Sequence, residues 1–300
     1  MNKHRVLLLG ASGYLGAQIW QELRRIGTYE IVGTYCSSPA SDVGLVQMDV
    51  TDSAAFAALL DEFAPDVAIW ALMSTADEQA MIAAGMETLL GRLPAKSRLI
   101  YLSTDGVFGQ GTGSFAEDDQ PVLLDERNPL AGYSHAKWFG ETLIRERHDQ
   151  HVIARIGPIY GCNSRGRWDK RIAAIRQELE AGREVVRTGN LYKTFLHVQD
   201  AGRAIAELAG NPYVGTLHLG PAQKESYYSF ARKMAAALGL DAAAVKEDRL
   251  DDTEARAKGI PLDTSLDTSR AREILHTRFR QVGAEGTASG MPLRGEGAVR

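Results

Sequence analysis

The chain has 300 residues, 34 of them Lys or Arg and 38 Asp or Glu, for a net charge of −4. Its hydrophobic fraction of 44% and charged fraction of 24% suit a folded globular protein and exclude a disordered or fibrous one. The mild acidity argues against a nucleic-acid coat or a basic membrane-surface protein, and no apolar run approaches the ~20 residues that cross a bilayer. The two cysteines, Cys36 and Cys162, have neither metal-cluster nor disulfide spacing, and the seven histidines show no metal spacing. The expectation is a cytoplasmic protein with no metal, nucleic-acid or membrane partner.

In chain order, Arg5–Leu9 reads as a buried strand that stops at Gly10. Leu15, Ile19, Leu23 and Ile26 follow at helical spacing, and Glu30–Thr34 reads as a second strand. Ser53–Phe63 is an alanine-rich helix ended by Pro65. Val67–Leu72 and Arg98–Ser103 are buried strands, with a helix near Ala80–Arg92 between them. Residues 106–132 carry five glycines and two prolines and read as a long loop, a common place for function. Tyr133–Arg147 is a helix and Val152–Ile156 a strand. Helices at Arg171–Ala181, Ala201–Ala209 and Tyr228–Leu238 follow, with a strand at Thr216–Leu219. No internal repeat is visible.

Strand–helix alternation of this kind predicts an α/β protein: a Rossmann-type, doubly wound parallel sheet with a small C-terminal substrate lobe. We assign residues 1–160 to the nucleotide-binding domain, with return segments near 190–220, and 161–280 mainly to the lobe. The glycine-rich residues 281–300 are expected to form a flexible tail.

Three clusters carry chemistry. Gly10-Ala-Ser12-Gly13-Tyr14-Leu15-Gly16 joins the first strand to the first helix, the context in which glycines let a backbone cradle a pyrophosphate at a helix N-terminus. A carboxylate about 20 residues further usually binds the ribose 2′-hydroxyl. Here no acid lies between Ile31 and Ser41, while Ser37 and Ser38 offer donors to a 2′-phosphate or simply make a turn. The reading favours NADP(H) over NAD(H). Asp49, followed by Val50, can accept from an adenine amino group or cap the helix beginning near Ser53.

Tyr133 and Lys137 are a Tyr-x-x-x-Lys pair that shares one helix face. An ammonium beside a phenol is expected to lower the phenol's pKa toward the working range. Ser103-Thr104-Asp105 ends a buried strand, where ligands meet open α/β sheets. Its two hydroxyls point opposite ways, and either could polarise a carbonyl. Arg165 and Arg167 flank a loop and could grip a diphosphate or form a solvated face. His135, His197, His218 and the tryptophans Trp20, Trp138 and Trp168 read as packing residues.

The ordered set GASGYLG, LSTDGVFG, FAEDDQP, YSHAKWFGE, RIGPIYG, TFLHVQDAGRAI and SLDTSRARE resembles the dTDP-4-dehydrorhamnose reductases and related extended short-chain reductases, over about residues 4–275. The resemblance implies reduction, by NADPH or NADH, of a 4-keto group on a nucleotide-activated deoxysugar held by the lobe. It selects Thr104 over Ser103 as the hydroxyl, with Tyr133 as proton donor and Lys137 as its partner. It implies that Asp49 and Val50 meet the adenine, that Ala71, Leu72 and Met73 line the cofactor, that Tyr133 and Lys137 also bind it, and that a homodimer can form. The chain departs from the family pattern at Gly106, Trp70, Pro158 and Lys193, and in a longer loop through Leu123–Arg127. These positions lie mostly around the substrate. The alternatives are an NAD-dependent epimerase or dehydratase on the same fold, and a non-catalytic NADP-binding regulatory subunit.

Overall fold

The computed structural model describes residues 4–37, 44–74 and 76–284. The elements of the nucleotide-binding part are β1 (His4–Leu9), α1 (Tyr14–Ile26), β2 (Tyr29–Tyr35), β3 (Leu45–Gln47), α2 (Ser53–Phe63), β4 (Val67–Trp70), α3 (Glu78–Arg92), β5 (Arg98–Thr104), α4 (Ala131–Arg147) and β6 (His151–Ile156). Then come β7 (Ile159–Tyr160), α5 (Lys170–Glu180), β8 (Val185–Thr188), β9 (Tyr192–Lys193), β10 (Leu196–His197), α6 (Val198–Leu208) and β11 (Gly215–Leu219). The chain ends in β12 (Glu225–Ser226), α7 (Tyr227–Ala237), β13 (Val245–Asp248), α8 (Asp252–Ala257) and α9 (Ser269–Ile274).

Seven strands form one parallel sheet in the order β11-β6-β5-β4-β1-β2-β3. The order reverses between β1 and β4, so a crevice opens there at the C-terminal strand ends, the place where such sheets take ligands. Burial follows the strand period of two. Val6 and Leu8 of β1 pack with Ile19 and Leu23 of α1 and Ile205 of α6, whereas Leu7 and Leu9 pack with Phe56 of α2, Met86 of α3 and Ile144 of α4. Helices thus cover both faces, and the doubly wound architecture expected from the alternation is present.

The lobe has its own core. Ile172 of α5, Val185 of β8, Phe230 and Met234 of α7 and Val245 of β13 pack together, and Phe195 stacks on Phe230 with ring centroids 4.1 Å apart. Val282 is buried in the same cluster, so packed chain runs past residue 281. The rest of the expected tail, 285–300, lies outside the described residues. Between β7 and the end of the lobe the chain returns to the sheet through α6 and β11.

Helix caps set several boundaries. Asp52, not Asp49, caps α2 by accepting from Ala55 N, and α2 ends at Ala64 in the left-handed region just before Pro65. Asp77 caps α3, which moves its start two residues ahead of the Ala80 read from periodicity. The parallel pair β8 and β13 was not apparent from the sequence, because each strand buries only its first valine fully and the two are far apart along the chain.

Candidate active site

The glycine loop adopts the geometry a phosphate cradle needs. Gly10 has φ +89°, and a Cβ there would sit 2.9 Å from the Ala71 carbonyl oxygen. A Cβ on Gly16 would collide with the Gly10 carbonyl, so only glycine lets α1 start this close to β1. Gly13 is exposed, bonds its N–H to Gly10 O at 3.0 Å, and starts α1 without a side-chain cap. The first turn of α1 thus has no side-chain cap, and its N–H groups fit a dinucleotide diphosphate. Ser12 lies on the loop, Tyr14 opens the helix and Leu15 is buried in the core beneath it.

Thr34 stabilises the loop from β2, its hydroxyl accepting from Gly10 N at 3.1 Å. Ser37 is exposed just past β2, and Ser38 lies outside the described residues. Asp49 is exposed, and its carboxyl accepts from Thr51 N and Thr51 Oγ1 at 2.9 and 2.7 Å. Those bonds hold it below the usual carboxylate range. Val50 is buried in the core near Trp70 and Gly85. Ala71 continues β4 by bonding its N–H to Leu9 O at 3.0 Å, and Leu72 touches the Gly10 position. Met73 is 67% exposed at the mouth of the pocket described next.

A cavity of about 510 Å³ opens between the sheet and the lobe. Thr104 and Tyr133 line it from one side, Lys193 and Arg171 from the other, and Leu191 and Ile260 add apolar wall. Thr104 ends β5, and its hydroxyl accepts from Gly106 N at 3.0 Å. Ser103 turns the other way and donates to Glu141. Only the Thr104 hydroxyl is therefore disposed toward Tyr133.

On α4, Tyr133, Lys137 and Glu141 recur every four residues and share a face. Lys137 Nζ lies 5.7 Å from the Tyr133 ring centroid and donates to Leu72 O at 2.9 Å, which ties the helix to the cofactor crevice. It also forms a buried ion pair with Glu78 at 2.8 Å. This pair changes the expected electrostatics. Burial, then the Glu78 and Asp105 carboxylates, raise the Tyr133 phenol above its ordinary value, with a hydrogen bond from Thr104 opposing. The net shift is therefore upward, opposite to the fall expected from the neighbouring lysine. Burial in turn pulls Lys137 down, against the opposing pull of Glu78.

Glu141 anchors the helix. It accepts from Arg155 of β6 at 3.0 and 2.8 Å and from Arg145, and both Glu141 and Arg155 are fully buried. Across the cavity, Lys193 pairs with Asp105 at 3.0 Å, and Thr264 donates to the same Asp105 oxygen at 2.6 Å. Glu78, Glu141 and Thr264 escaped sequence reasoning. The Glu141 spacing was available as a third turn of the Tyr133 face, but Glu78 and Thr264 meet the site only through tertiary packing. His135 bonds Leu124 O, and His218 is buried against Arg155 and Phe115 O. Among the described residues no group of acids, histidines and cysteines could hold a metal ion, and no helix is long and apolar enough to cross a membrane.

The family model described as the RmlD substrate binding domain matches residues 4–285. The chain belongs to this RmlD family. Over 285 residues the RmlD-family chain is 28% identical to a probable low-salt glycan biosynthesis reductase of Haloferax volcanii, covering 87% of this chain and 88% of that one. It is 23% identical to methionine adenosyltransferase 2 subunit beta of Rattus norvegicus, covering 90% and 82%. Among solved structures, that of a hypothetical dTDP-4-dehydrorhamnose reductase from Sulfolobus tokodaii superposes with a TM-score of 0.74 at 26% identity, covering 92% of this chain and 97% of that one. The RmlD family places the chain in an NAD(P)-binding, oxidoreductase-type fold.

Proposed function

We propose that the protein reduces a keto group on a nucleotide-activated deoxysugar, using NAD(P)H. The observation that carries this reading is the convergence of the Thr104 hydroxyl and the Tyr133 phenol on one cavity beside the glycine cradle. The cradle, Ala71, Leu72 and Lys137 would hold the cofactor, which supplies a hydride when bound. Thr104 orients the carbonyl oxygen. Tyr133 gives that oxygen a proton, and Lys137 keeps the α4 face against the Leu72 carbonyl. A neutral phenol beside the Thr104 hydroxyl is the form that can give a proton to a carbonyl oxygen.

The reductases among its relatives support the nucleotide-sugar class, and the absence of an acid between Ile31 and Ser41 supports NADP(H) over NAD(H). The similarity to a methionine adenosyltransferase beta subunit favours a second reading, a cofactor-binding regulatory chain. Oxidation of NADPH and NADH over a panel of dTDP-4-keto-6-deoxysugars separates the two. Turnover supports the reductase, and cofactor binding without turnover supports the regulatory chain.

A further inference from the structure

The segment after β7 crosses the open end of α1 as a strap. It is closed on itself by the Cys162–Trp168 bridge, by Asn163 N to Arg167 O at 3.0 Å and by Asp169 N to Gly161 O at 3.1 Å. The buried Asn163 fixes its interior, with Oδ1 accepting from both Arg165 N and Arg167 N at 3.0 Å. Three further bonds fasten the strap to α1. The Tyr14 hydroxyl donates to Gly161 O at 2.6 Å, Asn163 Nδ2 to Tyr14 O at 2.9 Å, and the Ser164 hydroxyl to Ala17 O at 2.9 Å.

This strap sets one guanidinium on the glycine cradle itself. Arg165 Nη1 donates to Ser12 O at 2.9 Å and Nη2 to Ala11 O at 3.3 Å. The side chain is about 150 residues from the loop it touches, and it comes from the segment that leads into the lobe. We propose that Arg165, delivered to the cradle by the strap, is a ligand for the dinucleotide diphosphate. The proposal rests on the cofactor-binding reading above.

The physical case is one of charge and preorganisation. Backbone N–H groups and a helix dipole offer a diphosphate only partial positive charge, worth about half an elementary charge at the helix end. A guanidinium brings N–H donors in a planar fork that suits phosphate oxygens. Two cradle carbonyls hold this fork in place, so little side-chain entropy is lost when an anion arrives. The same bonds join the lobe side of the chain to the cofactor side.

Calorimetric titration of the full-length protein tests this, with NADPH, ADP-ribose and dTDP as ligands. Arg165→Gln keeps an N–H donor for the cradle carbonyls but removes the charge. Ser164→Ala loosens the strap and leaves the arginine. The expected result is a tenfold or greater loss of affinity for both NADPH and ADP-ribose in Arg165→Gln, unchanged dTDP binding, and less than a twofold change in Ser164→Ala. Unchanged NADPH and ADP-ribose affinity in a folded Arg165→Gln overturns the proposal. An equal loss in both variants also overturns it, since the arginine would then be only a latch. A loss confined to dTDP overturns the cofactor assignment and gives the arginine to the substrate's diphosphate. If the unmodified protein binds neither NADPH nor ADP-ribose, the cofactor reading itself fails, and the proposal with it.

Discussion

Lys137 Nζ lies 2.8 Å from a Glu78 carboxylate oxygen, and both side chains are almost wholly buried. The pair joins α3 to α4 beside the Tyr133 ring, whose centroid lies 5.7 Å from Lys137 Nζ. Glu78→Gln removes a group that raises both the Tyr133 and the Lys137 pKa. Reduction needs the protonated phenol, so its rate is full below the phenol's pKa and falls above it. The alkaline fall of kcat/KM is therefore expected at lower pH in Glu78→Gln than in the unmodified protein. An unshifted pH profile would show that Glu78 acts only structurally. Stranding a buried lysine is also expected to cost about 3–5 kcal/mol of stability, measurable by urea denaturation.

Thr104→Val removes the hydroxyl that lines the cavity, the one we propose orients the carbonyl, while keeping the β-branched shape at the end of β5. Loss of one such donor lowers kcat by about 100-fold or more. Thr104→Ser is expected to restore most of it. Steady-state kinetics of the two variants provide the check, and equal rates in Val and Ser variants would contradict the role.

Much of this arrangement was legible in the sequence. The period-two and period-3.6 patterns gave the strands and helices of the sheet because each buries one face or both against a neighbour, as in β1 and α1. The glycine spacing and the Tyr133–Lys137 pair were visible because they are local. What was not legible depends on distant approach. Glu78 reaches Lys137 across 59 positions, and Thr264 reaches Asp105 across 159. The sign of the Tyr133 shift is hidden from the sequence for the same reason, since it is set by burial and by Glu78 and Asp105, which reach the phenol only in the folded chain. Asp49 shows a smaller case: two acids three apart could each have capped α2, and only geometry selects Asp52.

His218 is buried against Arg155, and its imidazole is pushed down to about 4, first by burial and then by that guanidinium. The unfolded chain binds the proton near pH 6.5, so the unfolded state gains protons first as the pH falls. Stability from this residue is fully present above pH 6.5 and is lost progressively between there and about pH 4, by about 3 kcal/mol at most. Urea midpoints measured across that range should drop more steeply in the unmodified protein than in His218→Gln. Parallel slopes would contradict the assignment.

Gly16→Ala drives a methyl group into the Gly10 carbonyl, a contact that only backbone movement can relieve. The cradle must open, so NADPH affinity is expected to fall at least tenfold while the far-UV circular dichroism spectrum is retained. Fluorescence titration of NADPH reads the loss, and undiminished affinity would contradict a diphosphate site at this loop.

The central claim is that Tyr133 donates the proton in a nicotinamide-dependent carbonyl reduction. Single-turnover oxidation of NADPH with a dTDP-4-keto-6-deoxysugar, compared between the unmodified protein and Tyr133→Phe, tests it most directly. The account predicts rapid oxidation in the first and a loss of about 100- to 10,000-fold in the second, with NADPH affinity unchanged. Oxidation at an undiminished rate in Tyr133→Phe, or none in the cofactor-bound unmodified protein across the keto-sugar panel, would contradict it.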